Sequence, residues 1–181
     1  YIGTQAGPEI GVAATKTFTS QLSVLAQLAL KLSKKRGKIS QDEMDCLEEN
    51  LKKMPEDVET IVRTQEEKIK KIAKKYASSK VFFFLGRGIS TATAFEGRLK
   101  LMEIAYIPSI AFPAGESKHG PISLIEDGFP VVFICPKDDS HKTLIGNIME
   151  MKARGAQIIA VIEEGDEEIK SLADDYVEVT K

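Results

Sequence analysis

Glu96, Lys100 and Glu103 are the residues of this sequence best spaced to move protons. If Phe95 to Glu103 is helical, 100° per residue puts the three within roughly 60° of one another, along about 10 Å of helix. Two carboxylates flanking an ammonium can carry a proton between adjacent carbons of a sugar while the cation steadies a developing enediolate. An i,i+4 Glu–Lys pair on a wet face fits the same spacing, and is worth only about 0.3–0.5 kcal/mol. Spacing does not choose between them.

Three loops are weighed beside them. The stretch Ala114-Gly115-Glu116-Ser117-Lys118-His119-Gly120-Pro121 gathers an acid, a base and one of only two histidines between glycines. A histidine titrating near ~6.5 suits proton transfer at neutral pH, although a surface histidine in a turn fits as well. His141 follows Asp138-Asp139-Ser140 at a helix start and reads as part of a capped, solvated first turn. Gly86-Arg87-Gly88-Ile89-Ser90 leads into a helix whose free N–H groups could hold an anion. It lacks the third glycine of a dinucleotide motif, and turn glycines with Ser90 as N-cap explain it more simply.

The elements that must position these residues change character near Ser78. Residues 1–78 read as helical and residues 79–181 as a separate domain. Gly7-Pro8-Glu9 reads as a helix entry, followed by Phe18, Leu22, Leu25, Ala29 and Leu32 at helical intervals up to Gly37. Ser40-Gln41-Asp42-Glu43 is a capping box for a second helix, and Pro55 is expected to start a third. From Ser79 onward, apolar runs at 81–85, 109–112, 131–135, 158–162 and 176–179 alternate with helical patterns near 91–106, 121–125, 142–154 and 167–174. Gly155 is placed to end the third of these. In the first, Ala92, Phe95, Leu99, Met102 and Tyr106 form the stripe expected to face the core. Strand–helix alternation predicts an α/β fold, a five-stranded parallel, flavodoxin-like doubly wound domain preceded by a helical segment.

Composition narrows the setting. The 181 residues are 43% hydrophobic and 29% charged, with a formal net charge of -2, so neither nucleic acid nor an anionic membrane is an expected partner. No apolar run approaches the ~18 residues of a membrane span. Cys46 and Cys135 stand alone, without the spacing of a zinc site or a disulfide framework, and fit reduced thiols in a cytoplasmic protein. The chain does not begin with Met and stops just after an apparent strand, so it is expected to be part of a longer protein.

The helix Phe95-Glu96-Gly97-Arg98-Leu99-Lys100-Leu101-Met102-Glu103, followed by Ala114 to Pro121, closely resembles the second sugar-isomerase (SIS) domain of the glutamine–fructose-6-phosphate transaminase family. The segment Gly7-Pro8-Glu9-Ile10-Gly11-Val12-Ala13-Ala14-Thr15-Lys16-Thr17-Phe18-Thr19 resembles the join between that family's two SIS domains. The resemblance implies a fold of five strands and conversion of fructose 6-phosphate plus ammonia into glucosamine 6-phosphate. It implies that Glu103 moves the proton between C1 and C2, supported by Glu96 and Lys100. It further implies that His119 assists ring opening from the neighbouring subunit of a homodimer, and that Val12 offers a backbone contact to the sugar. No cofactor or metal is implied.

A site shared between domains or subunits also resolves a difficulty of distance. Glu103 falls ~20 Å from the start of its helix, too far to share a site with the strand-tip loops of its own domain. The family's glutaminase domain and first SIS domain are not found here, and its Schiff-base lysine would lie beyond Lys181, which is not itself a candidate. The chain alone is therefore expected to fold without catalysing the whole reaction. Two alternatives remain: a non-catalytic sugar-phosphate sensor, or a related SIS enzyme acting on another amino-sugar phosphate.

Overall fold

Five short apolar segments pair in one all-parallel sheet: β1 (Phe82–Gly86), β2 (Ser109–Pro113), β3 (Pro130–Cys135), β4 (Gln157–Glu163) and β5 (Asp175–Val179). Their order is β2-β1-β3-β4-β5, the flavodoxin-like arrangement that the strand–helix alternation predicts. The computed structural model describes residues 1–180; Lys181 lies outside them. The chain divides into two units, Tyr1–Thr60 and the remainder from Ile61.

In the second unit, alternate residues of β1 serve both faces of the sheet. Phe83 and Leu85 join Val131, Phe133, Ile158 and Ile162 beneath α4 (His141–Lys152) and α5 (Glu167–Leu172). Phe82 and Phe84 join Val132 and Ile159 on the face of α3 (Ser90–Ala105). Every residue of β1 is buried, as a strand covered on both sides requires.

The face of α3 toward the sheet is not the expected one. Ala94 and Ser90 are buried and Gly97 lies against Phe84, whereas Phe95, Met102 and Tyr106 are 44%, 37% and 85% exposed. A Cβ on Gly97 would sit 3.2 Å from the Phe84 ring, so small residues let the helix lie close to the sheet. Close approach over a phenylalanine-rich strand selects that face; the bulkier stripe is left outside. Gly155, at φ 90, turns the chain after α4, as expected.

Two helical expectations also change. The first unit holds α1, which runs Lys16–Lys35, so Gly7-Pro8-Glu9 precedes the helix instead of opening it. The Glu9 carboxylate reaches forward to the first turn of α1, doing from outside what a first-turn acid would do. Pro55 starts no new helix. It lies inside α2, a single helix over Gln41–Lys75 that begins in the first unit and ends in the second. An interior proline gives up one i→i−4 hydrogen bond and crowds the carbonyl one turn back, yet its φ is helical; the stripe of Leu47, Leu51, Met54, Val58 and Val62 carries on in register past it. The capping box at the start of α2 is present and reciprocal: the Ser40 N–H donates to Glu43 Oε2 at 2.8 Å, and the Glu43 N–H to Ser40 Oγ at 3.2 Å. At the other end, Lys75 Nζ and the Tyr76 hydroxyl donate to Asp175 Oδ2 at 2.6 and 2.7 Å, tying the second unit's helical entry to β5.

Candidate functional site

The α3 row is assembled as the helical spacing requires. Lys100 Nζ lies 3.2 Å from Glu96 Oε1 and 2.7 Å from Glu103 Oε2, with all three side chains half-buried. The hydrogen bond to Glu103, then that to Glu96, raises the Lys100 ammonium above its ordinary value, so it is charged at neutral pH. The row lies on a different face of α3 from the buried Ser90 and Ala94, and the same helix exposes Phe95 and Met102 and ends at the exposed Tyr106. Tyr106 closes α3 in the left-handed conformation, at φ 56 and ψ 25, which disfavours a bulky side chain. A strained aromatic and a shared cation thus occupy one end of one helix.

His119 belongs to a different edge of the same domain. It ends the 3-10 turn Ala114–His119, just after the carboxyl end of β2. Because α3 runs back antiparallel to β1, Glu103 lies toward the edge where the strands begin, ~20 Å along the helix from Ser90. This chain does not bring His119 and Glu103 together. His119 is exposed, and among the described residues it has no hydrogen-bond or ion-pair partner. Its turn is nonetheless anchored. Ser117 is fully buried and donates to the Ala114 carbonyl at 2.8 Å, and Lys118 Nζ meets Glu150 Oε1 of α4 at 2.8 Å. Val12, in the first unit, is 86% exposed on the non-helical segment before α1.

The loop after β1 is shaped by sterics. A Cβ on Gly86 would fall 2.5 Å from the Ser90 carbonyl oxygen, so glycine there permits the tight passage from strand to helix. Ser90 is not the N-cap. Its hydroxyl donates to the Arg87 carbonyl at 2.7 Å and accepts the Arg87 N–H at 3.1 Å, cross-linking the loop to itself. Arg87 reaches over Gly115, where a Cβ would meet Nη1 at 2.8 Å. The loop after β3 is likewise closed by carboxylates: the Lys137 N–H donates to Glu163 at 2.7 Å and the Ser140 N–H to Asp138 at 2.8 Å.

His141 is not solvated, contrary to the expectation from its loop. It is 9% exposed, and its Nε2 lies 2.6 Å from Asp166 Oδ2, a residue itself 2% exposed. A signal for this pair was present. In a parallel sheet, consecutive helices start side by side at one edge, and His141 and Asp166 stand at consecutive helix starts. An apolar recess of the second unit, about 630 Å³, is lined by residues such as Ile72, Phe84, Leu101, Val132 and Val177. Its one phenol, Tyr76, is already bonded to Asp175, so the recess offers a phosphorylated sugar little to bind.

Strand order and direction make the second unit a doubly wound α/β domain, a class that binds small molecules in the crevice outside the carboxyl ends of its strands. Within that class the chain belongs to the SIS domain family, whose match runs over residues 75–180. It is 47% identical over 176 residues to the glutamine–fructose-6-phosphate aminotransferase (isomerizing) of Thermococcus kodakarensis, covering 97% of this chain and 29% of that protein. It is also 47% identical over 171 residues to the enzyme of the same name from Methanosarcina mazei, covering 94% of this chain and 28% of that protein. Among solved structures, the C-terminal domain of glucosamine-fructose-6-phosphate aminotransferase from Francisella tularensis superposes with a TM-score of 0.91 at 34% identity, covering 97% of this chain and 50% of that one. The chain thus spans less than a third of the length of these curated relatives.

Proposed function

We propose that this chain is part of the isomerase half of an enzyme that converts fructose 6-phosphate and glutamine-derived ammonia into glucosamine 6-phosphate. The observation that carries the reading is the Glu96–Lys100–Glu103 row, built into a chain 47% identical to an aminotransferase of that name. In this reading Glu103 takes the proton from one of the two adjacent sugar carbons and delivers it to the other. Lys100 stays charged between the two carboxylates and steadies the enediolate oxygen. Glu96 holds Lys100 from the opposite side.

His119 serves ring opening in a site completed by the neighbouring subunit of a homodimer. Its distance from Glu103 along the fold and the exposed apolar stripe beside the α3 row both support that arrangement. Val12 meets the sugar through its backbone. Residues 1–78 act as a helical inter-domain segment and residues 79–181 as the SIS domain, within a longer cytoplasmic protein that carries the whole activity. No helix among the described residues is long and apolar enough to cross a membrane.

The test is glucosamine 6-phosphate formation from fructose 6-phosphate and glutamine by the full-length protein. Glu103→Gln is expected to lower turnover by about 10²- to 10⁴-fold with sugar-phosphate binding retained. Tight sugar-phosphate binding without product from the wild type would replace this reading with that of a sensor.

A further inference from the structure

One carboxylate organises the segment that carries Val12. Glu9 Oε2 accepts hydrogen bonds from the Thr15 N–H at 3.1 Å, the Thr17 N–H at 3.1 Å and the Thr17 hydroxyl at 2.7 Å. Its Oε1 accepts from the Thr15 hydroxyl at 3.5 Å. Thr15, the residue before α1, provides no side-chain cap, and the first turn of α1 contains no acid. Glu9 therefore supplies, from six residues upstream, the acceptor that these otherwise unpaired helix N–H groups need. Closing that contact folds residues 9–15 into a loop with Ala13 turned inward, 7% exposed, and Val12 turned outward, 86% exposed.

We propose that Glu9 is a positioning residue for substrate binding: its carboxylate clamps the 9–15 loop so that the backbone around Val12 is already ordered when the sugar phosphate arrives. The assignment rests on the proposed function for the role of Val12; the clamp itself rests on the hydrogen bonds alone. A backbone contact is only as good as the order of the backbone, and this loop contains Gly11 and follows Gly7. Without the clamp, the substrate must order the loop as it binds, and that entropy is subtracted from affinity. Hydrogen bonds from Thr17 hold the Glu9 carboxyl below the usual carboxylate range, so the clamp is charged and closed at neutral pH.

The experiment compares full-length wild type with Glu9→Ala, Glu9→Gln and Thr17→Val. Hydrogen exchange reads the clamp directly: Glu9→Ala is expected to lose protection at the Thr15 and Thr17 amides, and unchanged protection there overturns the clamp. KM for fructose 6-phosphate reads the role: it is expected to rise about tenfold in Glu9→Ala with kcat within about twofold, and less in the other two variants, which keep part of the acceptor or donor set. A fall in melting temperature with KM at the wild-type value reduces Glu9 to a helix cap and overturns the positioning role. If wild type makes no glucosamine 6-phosphate, the functional reading fails separately, and calorimetric Kd for fructose 6-phosphate takes the place of KM: a tenfold weakening upholds the role and an unchanged Kd overturns it.

Discussion

His141→Leu tests how the carboxyl edge of the sheet is held. The imidazole Nε2 lies 2.6 Å from Asp166 Oδ2, and both side chains are buried where the α4 and α5 helices begin. Asp166 has a second task, since its Oδ1 accepts the Ile169 N–H at 3.1 Å as the N-cap of α5. Removing the imidazole leaves that carboxylate buried with one partner, and breaking a buried pair from one side costs about 3–5 kcal/mol. Burial of the leucine side chain offsets roughly 1 kcal/mol of this. The expected loss is about 2–4 kcal/mol, read as a lower urea midpoint at unchanged slope. Asp166→Asn keeps an oxygen for the cap and discards the charge, so it should cost less, and the two changes should not add. The double variant is expected to lie about 1–3 kcal/mol closer to wild type than the sum of the singles. A loss under about 0.5 kcal/mol for His141→Leu, additive with Asp166→Asn, would refute the buried pair and return His141 to a solvated turn.

Glycine substitutions should divide by what a Cβ would meet. Gly86→Ala places a methyl 2.5–2.8 Å from the backbone of Ser90 and Thr91 and should destabilise by on the order of 3 kcal/mol, whereas Gly146→Ala, in the open middle of α4, should stabilise by about 0.5–1 kcal/mol; thermal or urea unfolding checks both. Alkaline pH should weaken the fold. Burial, then the bond to Asp175, pushes the Tyr76 phenol from 10.0 up to about 12, and burial pushes the Cys135 thiol from 9.0 up to about 12. Both raised values stabilise the neutral group in the folded state, so their contribution is complete below pH 9 and is lost as pH rises toward 12. Stability should fall over that window, and Tyr76→Phe should flatten the part between 10 and 12. A thiol reagent at neutral pH should modify the exposed Cys46 and reach Cys135 only on unfolding.

Local rules recovered the strands, the helices that alternate with them at α3, α4 and α5, and the parallel class, because a two-face-buried strand such as Phe82–Leu85 and a capping box such as Ser40–Glu43 are settled within a few residues; the stretch near 121–125 is a 3-10 turn, Pro121–Leu124, instead of an α-helix. They also grouped Glu96, Lys100 and Glu103, since i,i+4 and i,i+3 neighbours meet on any α-helix. They failed wherever two distant segments compete for the same group. Pro55 looked like a boundary because its local cost is visible in sequence, while the stripe that carries α2 through it spans two helices' worth of pattern.

Local pattern therefore accounts for the strand–helix alternation from β1 onward and the shared face of the α3 row. Contacts between segments settle the rest: Ala94 and Gly97, not the bulky stripe, lie against Phe84; His141 is buried on Asp166; and Glu9 caps a helix it does not belong to. One cause underlies all three. Periodicity and capping act over one or two turns, whereas close packing and the pairing of buried polar groups depend on which segments the sheet brings side by side.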